Sequence, residues 1–198
     1  MTSTFDGLRF AVIDVEGNGQ QPPEIIEIAV VPIDGTKVGE PATWLVKPER
    51  PITPIVTRKV HGIRNADVAD APTWAEVEPA VTAVIADRVP VAHNAKVEHG
   101  VLRRHMSGWA PARMLDTLRL ARAVWPGLGS YSLDRLVEHA RITLGGDHGQ
   151  RHRAGFDAHA TALLFLVLAE AADNPDRLFS LAGLPGLAPD EEPRERLW

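Results

Sequence analysis

The sequence contains no cysteine. That excludes a disulfide framework, a thiol nucleophile and any zinc centre built on thiolates, and it fits a chain working in a reducing cytoplasm. Long apolar runs are missing as well. The most apolar stretch, residues 160–169, falls far short of the roughly 20 residues that span a bilayer. Residues 1–9 carry no basic-then-apolar signal pattern, because Asp6 interrupts it and Arg9 comes late. Positive charge is not in excess either: the net charge of −5 argues against a nonspecific nucleic-acid coat protein. What remains is ordinary globular material, with 198 residues that are 44% hydrophobic and 24% charged, enough to close a core without covalent staples.

The charge is unevenly spread. Residues 101–153 hold nine arginines (Arg103, Arg104, Arg113, Arg119, Arg122, Arg135, Arg141, Arg151 and Arg153) against four acids. This pattern fits a solvated helical surface, and it also fits a rim that faces phosphates beside an acidic centre.

Arg9–Asp14 reads as a buried strand, Glu24–Ile33 as a second and Thr43–Val46 as a third, with an Asp34-Gly35 turn between the last two. That is an antiparallel meander. Pro48, Pro51 and Pro54 break regularity, so His61-Gly62-Ile63 is expected in a loop or at a helix edge. Thr73 followed by Glu76 forms a capping box that opens a helix. Val89–Ala92 and Met114–Asp116 are two further strands. Helices are expected at Ala95–His105, at Thr117–Trp125, from Ser132 and, longest of all, at Ala154–Ala172. A meander followed by alternating strands and helices gives an α/β domain with a mixed, five-stranded sheet flanked by helices. The domain is expected to occupy residues 1–182. Residues 183–198, with three prolines, the acidic run Asp190-Glu191-Glu192 and a terminal Leu197-Trp198, are expected to form a flexible tail that offers a docking anchor to a protein partner.

Three clusters carry chemistry. Asp14 and Glu16 stand at i and i+2 at the end of the first strand, on one face. Two carboxylates so close resist joint ionisation without a cation between them; alone, the pair fits a hard-metal site or two solvated acids equally. Glu98 falls in the first turn of the helix after Val91-Ala-His-Asn-Ala95, where the helix dipole alone would account for a carboxylate. Asp157 lies on the longest helix above Ala160, Thr161 and Leu164, a core-facing stripe where an unpaired charge is costly. His152 precedes it by five residues and reads as a partner at the same site or as a surface histidine.

Taken in order, D-x-E after a first strand, H-N-A-x-x-acid after a middle strand and H-x-x-x-x-D opening a late helix resemble the DEDDh 3′–5′ exonucleases. That family has an RNase H-like fold and includes the proofreading subunit of replicative DNA polymerase. Val60-His-Gly-Ile63, Asp116-Thr-Leu118 and Tyr131-Ser-Leu-Asp134 agree, and Leu120–Gly127 is most similar to the exodeoxyribonuclease X branch. The resemblance covers roughly residues 8–172.

The resemblance implies hydrolysis of phosphodiester bonds at nucleic-acid 3′ ends, DNA favoured, with two Mg²⁺ or Mn²⁺ ions. Asp14 would bridge both ions, Glu16 and Asp157 would hold the nucleophile-side ion, and Glu98 would serve the leaving-group side. His152 would deprotonate the attacking water, and Asn94, Gly17, Gly19 and His61 would contact the terminal nucleotide. Two positions depart from the family pattern: Glu98 stands where Asp is usual, and the first motif reads Asp14-Val-Glu-Gly-Asn-Gly19 instead of D-x-E-T-T-G. An RNA exonuclease, or a nucleic-acid-binding module with a silenced site, are the alternatives.

Overall fold

Side chains of β1 (Arg9–Gly17) alternate between two cores. Phe10 and Val12 join one apolar cluster, Ala11 and Ile13 the other. A strand buried on both faces must lie inside a sheet with helices on either side. The computed structural model describes Phe5 and residues 7–145 and 151–187, and β1 is its central strand. It pairs antiparallel with β2 (Ile25–Asp34) and parallel with β5 (Val89–Ala92), which pairs in turn with β6 (Leu115–Asp116). The far edge of β2 carries β3 (Lys37–Val38) and β4 (Ala42–Leu45), both antiparallel. The mixed sheet is the expected one. Its sixth strand, β3, has only two residues and leaves no period-two pattern to read.

The helices divide by face. α2 (Trp74–Ile85) and α3 (Lys96–His105) cover the side lined by Ala11 and Ile13. α4 (Thr117–Val124), α5 (Leu133–His139), α6 (Ala154–Glu170) and α7 (Pro175–Ala182) cover the other. The capping box of α2 is present, with Thr73 N–H donating to the Glu76 carboxylate at 2.7 Å. None of the helices among the described residues is long and apolar enough to cross a membrane.

Three segments depart from the sequence expectation. Pro54 does not break structure but opens α1 (Pro54–Lys59), because a proline at the first helical position loses no hydrogen bond. The unanticipated α7 also begins with proline, and the Asn174 side chain accepts from Arg177 N–H at 2.9 Å to cap it. Gly183–Leu187, assigned to the tail, lies on the domain. Leu184 N–H donates to Met114 O at 2.8 Å, and Leu184 and Leu187 pack over Ala92, Ala95 and Met114. Residues 188–198, including the proposed Leu197-Trp198 anchor, lie outside the described residues.

α6 is the helix that matters most to the site, and it is seated by Phe165, which is fully buried and edge-on to Phe10 with ring centroids 4.9 Å apart. Phe165→Ala should therefore cost about 3–5 kcal/mol of stability in urea unfolding. A loss below about 1 kcal/mol would mean that α6 is not anchored through this ring.

Candidate active site

Even-numbered residues of β1 face α6. After Phe10 and Val12, the next two on that face are Asp14 and Glu16, so the apolar stripe that seats the helix ends in two carboxylates. α6 contributes Asp157 from its first turn. Ligand atoms of Asp14, Glu16 and Asp157 lie within 4.8 Å of one another. These are three of the four acids expected to hold metal.

The fourth, Glu98, sits in the first turn of α3, where the N-terminal dipole favours a carboxylate. It is buried, and its Oε2 has no hydrogen-bond partner. Of the neighbouring charges, Glu98 weighs most on Asp14, so it borders the triad from the α3 side. Asp116, the other buried acid nearby, is already engaged: its Oδ1 accepts from Leu118 N–H at 2.8 Å and from Asn94 N–H at 3.1 Å. Those bonds cap α4 and hold Asn94 in a left-handed turn, φ 67°, at the entrance to α3.

Crowding dominates the electrostatics. Burial, then Glu98, Glu16 and Asp157, push Asp14 well above the usual carboxylate range. Glu16 is pushed up to about 8, chiefly by burial and then by Asp157 and Glu27, with Arg153 opposing. Burial likewise lifts Glu98 to about 8. Asp157 is raised by burial, against which His152 acts through its charge and its backbone. Enclosed oxygen donors that resist joint ionisation, one with an unpartnered oxygen, are a donor set fit for hard divalent cations.

The remaining expected residues surround this centre. His152 is exposed, in a left-handed conformation with φ 59°, immediately before α6. Asn94 is exposed. Gly17 ends β1, and Gly19 has φ 76° and backs onto α1: a Cβ there would meet Thr53 Oγ1 at 2.2 Å. His61 is 5% exposed and directed inward. Its Nδ1 accepts from Ile63 N–H at 3.0 Å, which clasps its own loop.

Sequence reasoning passed over several residues. Asn18, at a position where the first motif departs from the family, is fully buried; its Oδ1 accepts from Gln20 and Glu24 N–H at 3.1 and 3.0 Å. Glu24 then binds Arg50, so the loop after Glu16 is braced by polar contacts. Glu27 is 1% exposed and paired with Arg153, and the signal for it was a charged residue in the middle of an apolar strand. Five of the nine clustered arginines have partners: Arg113 lies over Phe179, Arg122 over Tyr131, and Arg135, Arg151 and Arg153 pair with Glu138, Asp134 and Glu27. Arg103, Arg104 and Arg119 are exposed and have no ion pair among the described residues.

The exonuclease family model (RNase T type) matches residues 11–165. Exodeoxyribonuclease 10 of Escherichia coli strain K12 is 32% identical over 178 residues, covering 89% of this chain and 76% of that protein. The 3′–5′ exonuclease DinG of Bacillus subtilis strain 168 is 33% identical over 169 residues, covering 82% of this chain; the chain spans only 18% of DinG. Among solved structures, exonuclease X in complex with 5′ overhanging duplex DNA superposes with a TM-score of 0.74 at 32% identity, covering 88% of this chain and 98% of that one. The fold is accordingly RNase H-like, and its acidic triad lies in a family that depends on divalent metal. Likeness of this extent, over nearly the whole domain, establishes that the chain belongs to the 3′–5′ exonuclease family.

Proposed function

We propose that the chain removes nucleotides from the 3′ end of DNA, releasing nucleoside 5′-monophosphates with the help of two Mg²⁺ or Mn²⁺ ions. The observation that carries this reading is the carboxylate triad, Asp14, Glu16 and Asp157 within 4.8 Å, bordered by Glu98. DNA is preferred because a relative matched over 76% of its own length is an exodeoxyribonuclease, and the solved exonuclease X that is 32% identical is in complex with duplex DNA.

In this reading Asp14, Glu16 and Asp157 would hold one ion, and Asp14 with Glu98 would hold the second. Ions bound there would supply positive charge to acidify the attacking water and to offset the charge that develops on the phosphate and the departing 3′-oxygen. His152, exposed beside Asp157, accepts the proton that the water loses as its oxygen bonds to phosphorus. The bond to the 3′-oxygen of the preceding nucleotide breaks, that oxygen is reprotonated from solvent, and the terminal nucleotide leaves with its 5′-phosphate. Asn94 and the backbone at Gly17 and Gly19 line the place of the terminal nucleotide, and His61 braces the loop behind Gly17. The exposed Arg103, Arg104 and Arg119 are available to upstream phosphates. The segment that follows the domain, with its terminal Leu197-Trp198, would offer a docking anchor to a protein partner.

The test is degradation of matched single-stranded DNA, 5′-overhanging duplex and RNA, with product identity and polarity read directly. Monophosphate release from the 3′ end of DNA, abolished by Asp157→Asn and lowered on the order of 10²–10⁴-fold by His152→Ala, is the expected result. Binding without cleavage, or cleavage confined to RNA, would overturn it.

Glu98 carries an extra methylene relative to the usual Asp, and Mg²⁺ tolerates irregular ligand geometry poorly. The enzyme should prefer Mn²⁺, with Glu98→Ala inactive and Glu98→Asp active with a shift toward Mg²⁺. Rates across a titration of each ion decide the point, and a wild-type rate for Glu98→Ala would remove Glu98 from the site.

The same carboxylates govern stability without metal. A carboxyl whose folded pKa is raised stabilises the fold below its unfolded value, and that contribution is lost as pH rises through the folded value. For Glu16 and Glu98 the window runs from 4.5 to about 8. The metal-free protein should melt several degrees lower at pH 8 than at pH 5.5, and Mn²⁺ should recover the difference at pH 8. Equal melting temperatures at the two pH values in EDTA would show that the carboxylates are not enclosed together.

A further inference from the structure

Glu27 is the most buried carboxylate of the described residues, at 1% exposure, and the mechanism above does not use it. The β1–β2 register places it directly opposite Glu16, on the face toward α6. Like charges facing each other across an antiparallel pair are destabilising. Here one of them is answered by Arg153, whose Nε donates to Glu27 Oε1 and Oε2 at 3.1 and 3.0 Å and whose Nη2 donates to Oε1 as well. The second carboxylate oxygen also accepts from Ala154 N–H at 2.9 Å. Ala154 is the first residue of α6, so a carboxylate from the middle of the sheet supplies the cap that this helix lacks from its own N-cap side chain.

Arg153 lies between the two catalytic candidates in the chain. On one side is His152, in the left-handed region at φ 59°, a conformation that a non-glycine residue holds only when its surroundings impose it. On the other side the first turn of α6 carries Asp157. Four hydrogen bonds to one buried carboxylate thus pin residues 153 and 154 to β2, and the chain has little freedom left in how it presents residue 152.

We propose that the Glu27–Arg153 pair is a positioning device for catalysis: it locks the N-terminus of α6 to β2 and thereby sets His152 over Asp157. This inference rests on the assignment of His152 as the base. Neither residue touches the reacting atoms, so the signature is a loss in kcat with substrate and metal binding retained. A displacement of about 1 Å at a catalytic group is enough for losses on the order of 10²-fold.

The experiment uses Arg153→Ala. Arg153 is partly exposed, with 38% of its side chain in solvent, and truncation opens the Glu27 carboxylate to small cations. The variant should lose kcat on the order of 10²-fold, with KM and the metal midpoint changed by no more than about threefold. Millimolar guanidinium should restore most of the loss without affecting wild type. Arg153→Lys keeps the aliphatic stem but has no planar fork, and should remain slow at a near-native melting temperature. In the metal-free protein the Ala154 amide, protected in wild type, should exchange faster in both variants. A wild-type kcat in Arg153→Ala or Arg153→Lys, a loss that guanidinium does not relieve, or an Ala154 amide as protected as in wild type would overturn the proposal. His152→Ala, run alongside, separates the two readings. If that variant turns over normally, the assignment of the base is wrong; if it is slow while Arg153→Ala is normal, only the positioning role falls.

Discussion

Negative charge gathered in an enclosed space is the constraint on which this structure turns. Asp14, Glu16 and Asp157 meet within 4.8 Å, Glu98 adjoins Asp14, and Glu27 stands opposite Glu16 in the neighbouring strand. Carboxylates withdrawn from water repel each other far more than at a surface, and each takes up a proton more readily for the company of the rest. A fold holds such a set only where cations answer it. Arg153 answers Glu27, and the remaining four are left as a donor set of hard oxygens. The N-termini of α3 and α6, both directed at this region, add partial positive charge where Glu98 and Asp157 sit.

The apolar scaffold exists to hold that charge in place. One periodicity serves both purposes: the face of β1 that seats α6 through Phe10 and Val12 continues into Asp14 and Glu16. No extra element brings the first two acids to the third. The loop beyond Glu16 is braced in a different currency, by the buried Asn18 amide and the Glu24–Arg50 pair, so that the chain leaving the site is held by hydrogen bonds where it lacks a core. Toward the β6 edge of the sheet, Leu184 and Leu187 close over Ala92, Ala95 and Met114, beside the turn that carries Asn94 into α3.

Charge counted along the chain is a poor guide to charge in space. The arginine-rich middle segment looks like a continuous basic surface, yet the partners of Arg113 and Arg122 are aromatic rings, and those of Arg135, Arg151 and Arg153 are carboxylates. The exposed arginines of that segment with neither kind of partner among the described residues, Arg103, Arg104, Arg119 and Arg141, sit at the end of α3, on α4 and just after α5. A cation–π contact or an ion pair at a surface is worth little in stability, but it removes a charge from the field that an approaching polyanion meets.

Local pattern was enough for most of the architecture, and the ordered set of motifs, not any one of them, singled out the acids. Strand alternation places Asp14 and Glu16 together because period two is a property of the backbone, and the Thr73–Glu76 box marks the start of α2 because capping acts within one turn. The helical stripe likewise puts Asp157 on the buried side of α6. The two-residue β3 and the proline-led α1 and α7 were less legible: β3 is too short to show a period, and proline signals a helix start as readily as a break. The pairing of Glu27 with Arg153 was beyond reach altogether. Those residues are 126 positions apart, and no spacing rule connects them. The sheet register sets Glu27 opposite Glu16, and the crossing of α6 over β2 delivers Arg153 to it. By itself the sequence singled out the acids that the structure gathers, and the face of its own element on which each lies. Only the tertiary structure decided which charges answer one another, because that depends on how separate elements pack, and no single stretch of chain contains that information.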